Sequence, residues 1–158
     1  METRQLRFAI SLLVAMLTSN CFSANAQSIG VIRDACKLGN LSDEPASTTK
    51  SITEFIASLK ANLRANDSKR LASMISYPLL VSPESGKFRV RTPNEFEKRY
   101  LQIFPMQLRD LVLRQGPECV SRVGAKGFTI RNGEIWFDLY PDGRVRIFTI
   151  TTVVIPDE

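Results

Sequence analysis

The sequence predicts an α+β domain in which N-terminal helices pack on a curved antiparallel sheet. Up to Gln115 the apolar residues recur mainly at helical spacing, and from Glu118 onward they alternate with a period of two. Turn signals separate the later segments, above all Asn132-Gly133 and Pro141-Asp142-Gly143. Helices that come first, followed by a run of strands joined by short turns, are typical of the α+β class.

Two helices are predicted after residue 50. Ser51 and Glu54 form a capping box, and an apolar stripe over residues 52–63 follows at helical spacing. Ala65-Asn66-Asp67 ends this helix and begins a shorter one. Tyr77-Pro78 stops the second helix, because the residue before a proline is pushed out of the helical region.

A hairpin and a further helical region come next. Residues 78–91 predict two short strands around a turn. Thr92 and Glu95 form a second capping box with proline at the first helical position. Helical spacing then continues to Gln115, with an interruption at Pro105.

Four strands are predicted in the last part of the chain, at residues 119–123, 127–131, 134–140 and 144–155. The helical stripes can be buried only if the aliphatic side of these strands faces the helices, and each large side chain buried there contributes about 1.5–3 kcal/mol. We expect the inner side of the sheet to carry Phe128, Ile130, Ile135, Phe137, Leu139, Val145 and Ile147.

The opposite, outer side of the sheet is predicted to mix polar and aromatic residues. Alternation places Glu134 there, and the last strand, apolar on both faces, adds Ile150 and Val154. Aromatic residues are enriched in the cores of protein interfaces. We therefore predict an interaction face for a protein partner or a second copy of the chain, with scattered surface aromatics as the alternative. This predicted face consists of Trp136, Asp138, Tyr140 and Phe148.

Composition narrows the possible chemistry. The 158 residues carry a net charge of +5, but the basic residues are scattered among acids, so we expect no nucleic-acid partner. The chain has no histidine, which removes the commonest general base and a common metal ligand. We predict no catalytic, cofactor-binding or metal-binding residues. One open question is whether four alternating arginines gather to bind an anion or stand apart as solvated strand exteriors. They are Arg89, Arg91, Arg144 and Arg146.

The N-terminus has the organisation of a secretory signal peptide. A basic start precedes an apolar run over residues 8–17, and Ala24-Asn25-Ala26 forms an Ala-x-Ala exit. About 10 apolar residues fall short of the roughly 20 that a membrane-spanning helix needs. We expect cleavage near Ala26 and a periplasmic or secreted protein. Lipidation at Cys21 is the alternative, and only in that case do we expect a membrane anchor.

The remaining chain is divided at residue 50. Residues 27–50 are rich in Ser, Thr, Asp and Pro and predict a flexible segment, and residues 51–156 predict one domain. Cys36 and Cys119 survive cleavage and form a candidate disulfide, with two free buried thiols as the alternative. Closing a loop of about 80 residues would stabilise the fold by roughly 4–5 kcal/mol in the chain-entropy model.

The layout resembles the nuclear-transport-factor-2-like (cystatin-like cone) superfamily, and in particular its small exported bacterial members. The resemblance covers roughly residues 51–154 and rests on the segments "YPLLV", "GKFRV", "EFEKRYLQIF" and "GEIWF". It implies a curved sheet that wraps a helix and leaves a conical pocket. Members of the superfamily include isomerases, dehydratases and non-enzymatic binding domains, so the fold alone does not give the function.

Three functions remain open at this point. The first is a non-catalytic binding or interaction module that works through the outer sheet face or through a small ligand in the cone. The second is a small lyase or isomerase that acts on an apolar substrate and uses Tyr77, Tyr100 or Asp138 around the pocket. The third is an immunity- or inhibitor-type protein that caps a partner in the same compartment.

Overall fold

The structure, a computed structural model, describes residues 41–153 and confirms the α+β class. A 3-10 turn at Leu41–Asp43 precedes five helices and six strands. The helices are α1 (Ala46–Ala65), α2 (Ser68–Ser73), α3 (Pro93–Lys98), α4 (Tyr100–Ile103) and α5 (Met106–Arg114). The strands are β1 (Ile75–Ser82), β2 (Phe88–Val90), β3 (Val120–Arg122), β4 (Phe128–Ile130), β5 (Ile135–Leu139) and β6 (Val145–Thr151). The predicted signal peptide, Cys21 and Cys36 lie outside the described residues.

The six strands form one open sheet in the order β2-β1-β6-β5-β4-β3. Four of its five pairings are antiparallel, but β1 and β6 run parallel. The prediction of a wholly antiparallel sheet is therefore wrong at this one pairing. The cause is the crossover: the helical segment α3–α5 separates the β1–β2 hairpin from the β3–β6 meander, and the meander returns β6 beside β1 in the same direction.

Local capping signals fix the helix ends, with one exception. Asn66 ends α1 in the left-handed conformation with φ 51°. The Asp67 side chain accepts from the N–H of Arg70 at 2.9 Å, and the Thr92 side chain accepts from the N–H of Glu95 at 3.2 Å. The prediction that Ser51 starts α1 is wrong, because the helix begins at Ala46 after Pro45, whose φ of −53° already suits a helix entry. The described part of the predicted flexible segment therefore contains the first turn of α1.

Two neighbouring cross-strand rows define the two sides of the sheet. The inner row faces the helices, is apolar throughout, and consists of Val120, Ile130, Ile135, Ile150, Val81 and Phe88. The outer row lies one residue away on every strand and consists of Ser121, Thr129, Trp136, Thr149, Leu80 and Arg89.

A β-bulge in β6 keeps these rows in register. Trp136 pairs with Thr149 while Phe137 pairs with Ile147, so Phe148 has no partner residue on β5. The extra residue shifts the alternation, and Ile147 and Ile150 both point inward and are fully buried. The prediction of Ile150 on the outer side is therefore wrong, because strict alternation does not hold across a bulge.

Aromatic rings fill the space between helices and sheet. The Phe55 ring of α1 lies 5.0 Å from the Phe137 ring, which stacks on Phe128 at 5.9 Å. A second cluster, in the helical layer, consists of Phe96, Tyr100 and Phe104, with centroid distances of 6.1–6.4 Å. Of the residues predicted to face the helices, Leu139 and Val145 are half-buried and the others are buried.

Candidate interaction face

Trp136 occupies the centre of the outer row. Thr129 of β4 and Thr149 of β6 flank it in the cross-strand register, and the indole is half-buried. Thr129 is only 4% exposed, and its hydroxyl donates to the carbonyl of Ile135 at 3.1 Å. Trp136 therefore stands on a rigid floor of short side chains whose polar atoms are satisfied by the sheet itself.

The turn before β5 also supports the indole. Gly133 has φ 101°, and a Cβ placed on it would lie 3.2 Å from Nε1 of Trp136. Only glycine combines this backbone conformation with such a close approach of a ring. The Asn132-Gly133 signal in the sequence thus serves the position of the tryptophan as well as the turn.

A charged cluster lies at one end of the face. Asp138 pairs with Arg146 in the β5–β6 register, and its carboxylate accepts from the N–H of Leu139 at 2.8 Å. The guanidinium of Arg146 lies 5.0 Å from the centre of the Tyr140 ring and donates to Asp142. The hydrogen bond from Arg146, and then that from the N–H of Arg144, lower the pKa of Asp142. In this cluster the Arg146 guanidinium lies over the Tyr140 ring, and its hydrogen bond to Asp142 fixes it at the β5–β6 turn.

Of the four predicted residues, Trp136 and Asp138 lie on the outer side of β5, and Tyr140 and Phe148 belong to the same β5–β6 hairpin. Trp136 and Asp138 alternate with buried residues of β5, Tyr140 follows under Arg146, and Phe148 stands at the bulge. All four side chains are half-buried. We call Trp136, Asp138, Tyr140 and Phe148, together with Arg146 and Thr149, the tryptophan face.

Glu134 is the exception to the predicted outer side. It is 2% exposed, its carboxylate accepts from the guanidinium of Arg131 at 3.3 Å, and it also accepts from the N–H of Asn132 at 2.8 Å. The predicted exposed position is wrong because Glu134 belongs to the β4–β5 connection. That connection has four residues and places Arg131 and Gly133, rather than Asn132 and Gly133, at positive φ.

The sequence held only an indirect signal for this ion pair. Arg131 and Glu134 are opposite charges three residues apart around a turn, which is the spacing a tight connection brings together. Alternation alone assigns Glu134 to solvent, because it takes no account of where the strand begins.

The predicted pocket residues are not assembled into a common site. Tyr100 is 7% exposed among the rings of the helical layer, and its hydroxyl has no hydrogen-bond partner among the described residues. The hydroxyl of Tyr77 donates to the carbonyl of Ala72 at 3.1 Å, and burial and the carboxylate of Glu97 raise its pKa to about 12. Asp138 lies across the sheet from the buried rings. Tyr77, Tyr100 and Asp138 do not line the open surface pockets of about 810, 310 and 500 Å³.

Three open pockets are described at the surface. One of about 810 Å³ lies between the 3-10 turn, the start of α1 and Pro117-Glu118. One of about 310 Å³ lies between α1, the end of α2 and the start of β6. One of about 500 Å³ lies beside the β1–β2 turn and Pro105.

The four alternating arginines do not form one patch. Arg144 and Arg146 line the 310 Å³ pocket. Arg89 lies in the outer row on the edge strand β2, and Arg91 follows that strand.

Two further findings concern the candidate sites for metals and membranes. In residues 41–153, no group of three or more metal-binding acid or cysteine side chains is present, and no helix is long and apolar enough to cross a membrane.

Cys119 is 2% exposed at the start of β3. Because Cys36 lies outside the described residues, the Cys36–Cys119 disulfide stays a prediction.

Comparison of the chain with protein-family models, with curated proteins and with solved structures finds no match. The resemblance to the nuclear-transport-factor-2-like superfamily therefore stays a prediction.

Proposed function

We propose that the chain is an exported, non-catalytic binding module of the nuclear-transport-factor-2-like type, and that it associates through the tryptophan face. A single observation carries the proposal. Trp136, on the outer side of β5, and Tyr140 and Phe148, in the same β5–β6 hairpin, are half-buried, and none of them is among the residues in or packed against the hydrophobic core of residues 41–153.

The composition of the face supports a protein surface as its partner. Its centre is aromatic and flanked by threonines. Its end carries Asp138, Asp142 and Arg146, and the guanidinium of Arg146 lies over the Tyr140 ring. Protein interfaces combine an aromatic centre with a polar, partly solvated rim in the same way. A second copy of the chain would match this arrangement, because a two-fold axis through the face would set the aromatic centres against each other and leave both charged ends at the rim.

The filled interior supports binding rather than chemistry in the cone. Phe128 and Phe137 stack beneath α1, and Tyr100 lies between Phe96 and Phe104. A substrate would have to displace these rings, whereas a partner on the tryptophan face displaces only water.

The test is the association state of the chain from residue 27 onward. We expect the wild-type protein to form a dimer, or to capture a partner from its own compartment, and Trp136→Ala to weaken the association by at least about tenfold, as for a central aromatic hot spot. Sedimentation over a concentration series measures the first, and affinity capture with purified candidate partners measures the second.

Leu101→Ala is the matched control. Leu101 is 68% exposed on α4, in the helical layer, so its removal deletes an exposed apolar side chain away from the tryptophan face. An association that is unchanged by Trp136→Ala, or that is weakened as much by Leu101→Ala, would contradict the proposal.

A further inference from the structure

The pocket of about 310 Å³ between α1, the end of α2 and the start of β6 combines an apolar floor with polar side chains. Phe55, Met74 and Val145 provide the floor, and Phe55 is held in place by its contact with the Phe137 ring at 5.0 Å. A volume at the small end of the range for ligand pockets suits a small molecule rather than a peptide.

The side chain of Arg144, which lines this pocket, is available to bind a ligand. The backbone of Arg144 is fixed by the turn: its N–H donates to Asp142 at 3.1 Å and its carbonyl accepts from the N–H of Tyr140 at 2.9 Å. Its guanidinium forms no hydrogen bond or ion pair within residues 41–153. Arg146, which also lines the pocket, is already bound to Asp142.

Two hydroxyls of α1 line the same pocket. Ser51 and Ser58 lie seven residues apart, with Phe55 between them, so all three share one face of the helix. Neither hydroxyl has a hydrogen-bond partner among the described residues. The third serine of the pocket, Ser73, already donates to the carbonyl of Arg70 at 2.6 Å. The available polar groups are therefore one guanidinium and two hydroxyls beside an apolar floor.

We propose that this pocket binds a small amphipathic carboxylate, with the carboxylate on Arg144 and the hydroxyls, and the apolar part on Phe55, Met74 and Val145. The planar guanidinium can donate two parallel hydrogen bonds to a carboxylate. A dianion such as phosphate suits the pocket less well, because the Glu54 carboxylate also lines it and would repel the second negative charge. Glu54 forms an ion pair with Lys50 at a distance of 4.0 Å.

The site shares Arg146 with the tryptophan face, but its apolar floor and its cation Arg144 lie outside that face. It opens between α1 and the start of β6, and its central cation, Arg144, is exposed at the β5–β6 turn. Loss of either property therefore leaves the other measurable in the same protein.

The experiment is a titration of the ¹⁵N-labelled chain with hexanoate, benzoate and phenylacetate, followed by amide chemical shifts. We expect at least one of these carboxylates to produce saturable shifts centred on Phe55, Ser58, Met74 and Val145. Neither 1-hexanol, which lacks the charge, nor inorganic phosphate, which lacks the apolar part, is expected to saturate the site.

Variants assign the carboxylate to Arg144. Arg144→Ala is expected to weaken binding by at least about tenfold, because a charge-assisted bidentate contact is lost, and Arg144→Lys to give an intermediate affinity. Arg114→Ala is the matched control, since it removes an exposed arginine from the last turn of α5. Glu54→Gln is expected to tighten binding by removing a like charge.

Four results would overturn the proposal: no saturable shift with any of the three carboxylates, equal binding of 1-hexanol, saturation by phosphate alone, or equal losses in Arg144→Ala and Arg114→Ala. If Arg144→Ala does not fold, the comparison of Arg144→Lys with Arg114→Lys decides the role of the guanidinium fork.

Discussion

The inner and outer rows of the sheet cross the same six strands one residue apart, yet they are built from different chemistry. Every member of the inner row is apolar, and five of the six are at most 2% exposed. The outer row runs from Ser121 through Trp136 to Arg89 and keeps most of its side chains half-exposed. Both rows cross the same six strands, so the difference in their chemistry reflects what covers each side of the sheet.

The side chains of the inner row stabilise the fold, whereas the half-exposed side chains of the outer row can contact a partner. Removing a side chain from the inner row leaves a cavity among packed rings. Removing a half-exposed side chain from the outer row, such as that of Trp136, leaves water in its place. Within residues 41–153 the helices cover one side of the sheet, so the half-exposed positions of the other side can vary at a small cost in stability.

The largest expected effect comes from breaking the inner side. Phe137→Ala removes a fully buried ring that contacts Phe55 and Phe128, and we expect the free energy of unfolding to fall by about 3–5 kcal/mol. Trp136→Ala, at the adjacent residue on the other side, should cost roughly 1–2 kcal/mol because its ring is already half in water. Urea unfolding of both variants measures the difference. Equal losses would contradict the assignment of the two sides.

A smaller loss of stability is expected at the β4–β5 connection, where a residue that alternation assigns to the outer side is buried. Glu134 is as buried as an inner-row residue although alternation assigns it to the outer side, and it is paired with Arg131. Glu134→Ala leaves the buried guanidinium without this carboxylate, and we expect a loss of roughly 3 kcal/mol, at the low end for broken buried pairs because Arg131 has a further partner. Thermal and urea unfolding measure it.

The control for that variant restores the balance of charge. Arg131→Met combined with Glu134→Leu replaces the ion pair by apolar side chains of similar size, and we expect it to recover much of the stability. If the double variant is no more stable than Glu134→Ala, the backbone contact from Glu134 to the N–H of Asn132 is the dominant contribution instead.

The sequence predicts those features of the fold that depend on neighbouring residues. The α+β class, the helix end near Asn66, the Thr92 cap and the side of Trp136 all follow from patterns within a few positions. Each depends on local apolar spacing, on turn residues or on a cap one turn away. The start of α1 is missed because Ser51-x-x-Glu54 satisfies the same pattern inside a helix that Pro45 has already begun.

Features that depend on distant residues are not predicted. The parallel pairing of β1 with β6 joins segments about 70 positions apart in the chain, and a pattern within either strand does not specify its neighbour. The bulge at Phe148 lies in the β5–β6 pairing and reverses the predicted side of Ile150. The pocket with Arg144 is formed by α1, the end of α2 and the start of β6. The sequence identified its arginines as a possible anion site, but it did not predict that serines of the helices lie beside them.

The smallest expected effect tests whether water reaches Tyr77 at the edge of the inner side of the sheet. Tyr77 packs against the core from β1, and burial, followed by the charge of Glu97, raises the pKa of its hydroxyl to about 12. Because the folded-state pKa lies above the unfolded value of about 10, its stabilising contribution is fully present below pH 10 and is lost as the pH rises towards 12. Tyr77→Phe should therefore flatten the decline of stability in this range. Phenolate absorbance and urea unfolding at several pH values measure the effect, and an equal decline in Tyr77→Phe and the wild type would show that this edge is already open to water.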